Sequence, residues 1–542
     1  MLLRSRSTRG TKAPKTRASK ATKATKASKA TKASKATADI DLSMLKRTDK
    51  RELRERLKEV DLVVQDIRHE LEKKITGPYR IRAVPDGVPL KADRLHEREC
   101  QVQNSRALSN AISSVATSFL AEKREYLKSV SYVYSQLIPI EPGVTCQGLS
   151  GRCWLYAALN AMRIGLMRRL NISVKPAFEL SEAYLFFYDK LERANLFLQR
   201  VHELRHLPDT HNDIVQLFMQ RPTEDGGTFG FFSNLIKKYG IVPKSCYGEG
   251  FNTRYTAEMN ELLWRKLAEF AWGIRHGTSV ELPEMLQVIY DMLTKFMGVP
   301  PRTFTWKYYE SSPGDGKSHG GAHEIRDLTP ESFYQEYIEP DYDVSRMVIL
   351  RHDPREKNPY YKTYACRETA NMVHAPASVH LNVPIDVMRQ AAANSIKNNT
   401  AVWFACDVQK DFNHEYSLLA TEAYDYDELM GTKFDMSKAQ MLDTYASYPT
   451  HAMLLVGYDA SADGVVHRWR AENSWGETGT GEGDERGYLQ ISDEWFTKYV
   501  YECVVDISHL PEEAADKYRE LEFDPVWIPM RDPLSYASIK AC

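Results

Sequence analysis

The sequence predicts an α+β protein, and three observations predict it. Apolar residues recur at helical spacing through the first third of the chain. Short runs rich in β-branched and aromatic residues gather beyond residue 400. An apolar share of 43% with 27% charged residues is the balance of a folded chain rather than a disordered one. At 542 residues there is room for about three or four domains of roughly 150 residues, or for one enlarged unit. No run approaches the roughly 18 apolar residues of a membrane span, and Met1-Leu2-Leu3-Arg4 turns basic at once, so neither a membrane helix nor a secretory signal is expected.

Residues 1–38 hold 12 Lys/Arg and no acid, which leaves a net charge of −13 on the remainder (60 basic against 73 acidic residues). Within them Lys-Ala-Thr/Ser repeats over 20–36 with no large apolar residue to bury, so a disordered basic tail is expected, as a polyanion-binding arm or a solubilising one. A mitochondrial leader fits the missing acids but not the missing apolar face. Residues 39–99 read as a helical extension. Leu53, Leu57, Val60, Val64, Ile67, Leu71 and Ile75 form a heptad-like seam, Asp49 with Glu52 resembles a capping box, and Gly77-Pro78 ends the run. The seam suits a coiled-coil partner or packing on the chain's own body. A second helical stretch spans 105–138 and stops at Pro139 and Pro142. A third begins near Gly151 and runs through Trp154, Leu155, Ala158, Leu159, Met162 and Leu166. Strands are expected at 401–408, 451–458 and 487–491. The eight cysteines are scattered with no C-x-x-C pair, which predicts free thiols in a reducing compartment rather than a disulfide framework or zinc ribbon.

Three segments carry chemistry. In Gln147-Gly148-Leu149-Ser150-Gly151-Arg152-Cys153-Trp154 a glycine-containing loop gives way to the third helix at Cys153. A helix N-terminus favours thiolate over thiol, and thiolate is the nucleophile. Gln147 on the same loop can offer a side-chain N–H beside the Cys153 backbone N–H to an oxyanion. His451 opens the apolar run Ala452-Met453-Leu454-Leu455-Val456, which places an imidazole at the rim of a sheet. Asn473, in Glu472-Asn473-Ser474-Trp475-Gly476, can accept the imidazole N–H and so fix the tautomer, with Trp475 as a shield.

Together and in this order the segments resemble the papain-like cysteine peptidases. Asp225-Gly226-Gly227, Lys238-Tyr239-Gly240, Val242-Pro243-Lys244-Ser245-Cys246, Pro301-Arg302-Thr303-Phe304-Thr305-Trp306, Ala401-Val402-Trp403-Phe404 and Asp493-Glu494-Trp495-Phe496 narrow the resemblance to the bleomycin hydrolase (aminopeptidase C) family. The resemblance spans roughly residues 100–537. It implies a papain-like core, a helical half plus a β-barrel-like half, enlarged by helical insertions. The catalytic unit covers 100–525 with an insertion near 255–400, and a C-terminal arm, 526–542, points toward the active site. It further implies a cytoplasmic homohexameric aminopeptidase acting on peptide substrates without a cofactor or metal. In it Cys153 is the nucleophile, His451 the general base and acid, Asn473 the orienting residue and Gln147 the oxyanion donor. Two departures stand out. Cys146 replaces the Asn usual before the Gln, and Gly148-Leu149 replaces a more polar pair, which alters the cleft floor. The chain also runs about five residues past the usual end of the arm, so trimming is expected to precede full activity.

Two rivals compete with this reading. His202-Glu203-Leu204-Arg205-His206 matches the H-E-x-x-H pattern of zinc peptidases, with His211 as a further imidazole, but Pro208 follows closely and Asp209 and Asn212 depart from the extended pattern. The other is a non-catalytic, polyanion-binding assembly protein that keeps the peptidase fold, against which the intact Cys153, His451 and Asn473 set argues.

Overall fold

The computed structural model describes residues 106–535, apart from 209–214, 217–218, 220–221, 278–279, 313–318, 367, 478–485 and 521–524. The basic tail, the heptad-like helix at 49–76 and residues 536–542 lie outside the described residues.

The stretch expected as one helix over 105–138 is three short ones, α1 (Arg106–Ser114), α2 (Thr117–Ala121) and α3 (Arg124–Ser129). Ala116, Glu122 and Val130 are extended at the breaks. Val130-Ser131-Tyr132-Val133-Tyr134 is a β-branched and aromatic run. It leads into β1 (Gln136–Leu137), and the Arg468 guanidinium donates to the Ser131 and Val133 carbonyls on the way. Tertiary pairing here overrides helical spacing.

Helix α4 (Cys153–Arg169) forms where the loop pattern ends, and fourteen of its seventeen residues are buried. A helix apolar nearly all round needs cover on every side. Helices α5 (Glu182–Leu204) and α6 (Phe229–Tyr239) pack on it from one direction and sheet strands from the other. Ser181 caps α5 by accepting from Tyr184 N at 3.1 Å, and Thr228 caps α6 by accepting from Phe231 N at 3.3 Å. After the short α7 (Phe251–Arg254), helices α8 (Ala257–His276) and α9 (Leu282–Met297) pack against α5 and complete the helical part.

The segment 255–400, expected as a helical insertion, is continuously helical in character only as far as Met297 and mixes strands with helices beyond it. Phe304–Ser311 (β2) and His319–Leu328 (β3) then form a two-stranded antiparallel sheet, as the β-branched and aromatic content of Phe304-Thr305-Trp306-Lys307-Tyr308-Tyr309 favours. Met347–Arg351 (β4), Thr363–Ala365 (β5) and His380–Asn382 (β6) join the main sheet, and Ile385–Lys397 (α10) returns to helix.

The main sheet continues with β7 (Val402–Cys406), β8 (Phe412–Asn413), β9 (Leu418–Leu419), β10 (His451–Ala460), β11 (Val466–Glu472), β12 (Tyr488–Ser492), β13 (Val500–Asp506) and β14 (Val526–Trp527). Its order is β14-β5-β6-β4-β13-β7-β10-β11-β12-β9-β8, with β1 also pairing β10. The three strands expected from the sequence are β7, β10 and β12. Strand β7 is buried along its whole length, between β10 and β13, and α4 packs across β7 and β10. The arm enters as β14, parallel to β5, and Leu534 and Ser535 beyond it are buried. Arg355 donates to Asp532 at 2.9 Å and Arg351 to the Leu534 carbonyl at 2.8 Å.

Candidate active site

Cys153 is the first residue of α4, buried, with no acid in the first helical turn. Leu155 N and Tyr156 N both donate to the Arg152 carbonyl, at 2.9 and 3.1 Å, which closes the first turn. Buried ion pairs hold the loop before it. The Arg152 guanidinium forks onto the Glu249 carboxylate with two contacts of 2.9 Å, and its Nε donates to Ser150 Oγ at 3.0 Å. Burial opposes ionisation of Glu249, but Arg152 holds its carboxyl below the ordinary range. Asp225 accepts from Gly151 N at 2.9 Å, from Lys190 Nζ at 2.7 Å and from Asn260 at 2.8 Å. Its desolvation is outweighed by Lys190 and these hydrogen bonds, which keep it ionised well below the usual carboxylate range. Gly226 N donates to Gly151 O at 2.9 Å. At Gly227 a Cβ would stand 2.5 Å from the Trp154 ring, so only glycine lets this strand of backbone approach the helix start.

His451 is the first residue of β10, opposite Cys406 at the end of β7, and so lies at the rim of the sheet. Its Nε2 meets Asn473 Oδ1 at 2.9 Å. A carbonyl oxygen only accepts, so the proton resides on Nε2 and the lone pair on Nδ1. Nδ1 is buried and makes no hydrogen bond among the described residues. Burial pushes the imidazole down to about 4, against a smaller opposing effect of the Asn473 hydrogen bond, so it rests as a neutral base. The Trp475 ring lies beside it, centroids 5.0 Å apart.

Gln147 and Asn473 are joined through Ser474. Gln147 N donates to Ser474 O at 2.8 Å, Ser474 Oγ donates to Gln147 Oε1 at 2.7 Å, and Ser474 N donates to Asn473 Oδ1 at 2.8 Å. Gln147 Nε2 donates one of its two protons to Ser150 O, which leaves the other available. A bridge between Cys146 and Trp475 and a Gly476 N bond to Thr145 O at 2.9 Å complete the seam. The loop carrying Gln147 and Cys153 is thus stitched to the segment that orients His451.

Sequence reasoning missed Ser474, the Arg152–Glu249 pair and Glu472. Glu472 is buried at the end of β11, accepts from Asn160 at 2.7 Å and Arg163 at 3.2 Å of α4, and is pushed up to about 7 by burial, with Arg163 opposing. Ser474, Arg152 and Glu472 are polar residues inside segments already singled out, whereas Glu249 lies three residues beyond one. Only the three-dimensional pairing shows their partners.

The H-E-x-x-H geometry is not formed. Helix α5 ends at Leu204, so His206 lies past the helix. His202 and Glu203 are exposed, and Glu203 pairs with Arg200 at 2.9 Å. Among the described residues no group of three His, Cys, Asp or Glu is placed to hold a metal ion. Nor is any helix among them long and apolar enough to cross a membrane.

The Peptidase C1-like family matches residues 90–535. Human bleomycin hydrolase is 36% identical over 426 residues, 76% of this chain and 90% of its own length. Aminopeptidase C of Lactococcus lactis is 32% identical over 444 residues, covering 80% and 97% respectively. Among solved structures, PepW from Lactobacillus rhamnosis superposes with a TM-score of 0.75 at 31% identity, over 82% of this chain and 99% of that one. A match of this extent makes the protein a member of the Peptidase C1-like family.

Proposed function

We propose that this chain is a cysteine aminopeptidase that removes residues from the N-termini of peptides. The observation that carries the reading is the His451 imidazole, held by Asn473 on Nε2 and unpartnered on Nδ1. In this reading Nδ1 takes the Cys153 thiol proton, and the thiolate–imidazolium pair offsets the burial that keeps an isolated His451 neutral. Sγ adds to the scissile carbonyl, and its oxygen, now negative, accepts from the Cys153 backbone N–H and the spare Gln147 Nε2 proton. The tetrahedral species collapses as the imidazolium gives its proton to the leaving amine, and the acyl thioester remains. Water then loses a proton to Nδ1, adds to the thioester, and expels the Cys153 thiolate.

The arm supports removal of N-terminal residues. Leu534 and Ser535 share a small cavity with Thr228, which adjoins the Gly227 that lies on Trp154. In this reading the arm, held there by Arg351 and Arg355, limits how much substrate fits on the acyl side. We extend the reading to a cytoplasmic homohexamer, testable by light scattering and fractionation, and to polyanion contact through residues 1–38.

The test is release kinetics from N-terminally free and N-acetylated versions of the same peptides. Free peptides are turned over and acetylated ones are not. Cys153→Ala lowers kcat by at least about 10³-fold with unchanged circular dichroism. A thiol alkylator stops the reaction and a metal chelator does not. Turnover that survives Cys153→Ala, or that a chelator abolishes, would refute the proposal.

A further inference from the structure

Three large apolar side chains stand exposed beside the nucleophile loop. Leu149 is 76% exposed, Phe251 69% and Tyr255 46%. They are placed together by backbone and ring contacts: Leu149 forms a parallel bridge with Tyr255, and the Phe251 and Tyr255 rings stack with centroids 4.9 Å apart. Single exposed apolar residues are ordinary, but three gathered on a catalytic loop are not.

The structure fixes this platform to the loop. Gly148 has a φ of +65°, and a Cβ there would stand 2.6 Å from Arg254 O, so glycine admits helix α7 against the loop. Glu249, two residues before Phe251, holds Arg152. Thr256, next to Tyr255, donates to the Asp225 carboxylate that also takes Gly151 N. Both anchors of the Cys153 loop therefore also anchor the α7 platform.

Stereochemistry decides which part of a substrate meets it. The leaving amine must lie near the imidazole that protonates it, on the side of His451, Asn473 and Trp475. With the oxyanion between Gln147 and Cys153 N–H, the acyl portion extends the other way, toward Gly151, Asp225 and Gly226. Leu149 lies two residues from Gly151, and the Leu149–Tyr255 bridge and the Thr256–Asp225 hydrogen bond tie Phe251 and Tyr255 to that group.

We infer that Leu149, Phe251 and Tyr255 form the subsite for the side chain of the substrate's N-terminal residue, and that it selects aliphatic and aromatic residues over small polar ones. The inference rests on the aminopeptidase reading above. An apolar side chain laid on this platform leaves water from both faces, whereas glycine or serine gains nothing there.

The experiment compares kcat/KM for Leu, Phe, Gly and Ser aminoacyl-methylcoumarin amides. The wild-type chain should favour Leu and Phe over Gly and Ser by at least about 10-fold. Leu149→Ser and Phe251→Ser, both at exposed positions, should each cut the Leu-to-Gly ratio by about 5- to 10-fold, chiefly through KM, and leave Gly turnover within about twofold. Variants that retain the wild-type ratio while turnover still requires Cys153 overturn the subsite alone. The same holds if they change the oligomeric mass by light scattering and not the ratio, since the patch is then an interface between copies. If turnover persists in Cys153→Ala, the aminopeptidase reading fails first and the subsite falls with it.

Discussion

Ser474 makes Gln147 and Asn473, the proposed oxyanion donor and orienting residue, one unit, since its N–H, carbonyl and hydroxyl each bond one or the other. The orienting side chain is the more separable of the two. Asn473→Ala should lower kcat by roughly 10²-fold with little change in KM, because the imidazole loses its fixed tautomer rather than its place. The two-residue comparison that checks this is a cycle with Gln147→Ala: a coupled unit gives losses that do not multiply. At this scale the residues of the candidate site stand out in the sequence. Cys153, His451, Asn473 and Gln147 have distinctive residue types in short, recognisable contexts. Ser474 does not, because a serine in a loop carries no sign of what its hydroxyl will meet.

Among the elements, α4 and β11 are locked by one buried carboxylate, Glu472, through Asn160 and Arg163. Glu472→Ala leaves a buried guanidinium without its carboxylate and should lower stability by about 3–5 kcal/mol in urea unfolding. Glu472→Gln keeps an acceptor and should cost less. Its pH dependence has a definite sign. The folded Glu472 titrates near 7, above its unfolded value of 4.5, so the wild-type chain loses this contribution as pH rises from about 4.5 through 7, and the Gln variant should not. His451 acts oppositely. Its folded value near 4 lies below the unfolded 6.5, so its contribution is whole above 6.5 and lost as pH falls toward 4. The elements themselves were legible where local pattern and burial agree, as in α4, β7, β10 and β12. They were not legible over 105–138, where apolar spacing suggested one helix but pairing with β10 and contacts from Arg468 straighten the chain. Nor were they across 255–400, where short strands buried by neighbours far along the sequence give little periodic signal.

For the whole molecule, deleting residues 1–38 should leave turnover of small peptides unchanged, since a basic tract with no large apolar residue after Leu3 cannot brace the site. Polyanion retention on a heparin column should fall, and the retention of the full chain should weaken steeply with salt. At the other end, truncation after Ala537 should raise aminopeptidase turnover. Removal from Asp532 onward, which forfeits the Arg355 contact, should shift cleavage toward internal bonds, read by mass spectrometry of an N-acetylated peptide. The near-total burial of α4 has one more effect, which concerns synthesis rather than catalysis. Helices α5 and α6 follow α4 closely in the chain, but β7 and β10, which also cover it, begin only at residues 402 and 451. At roughly 5–20 residues per second that interval lasts from about ten seconds to a minute. A chain interrupted in that interval carries Cys153 without His451 and leaves α4 without its sheet cover, so it should aggregate and should not turn over peptides.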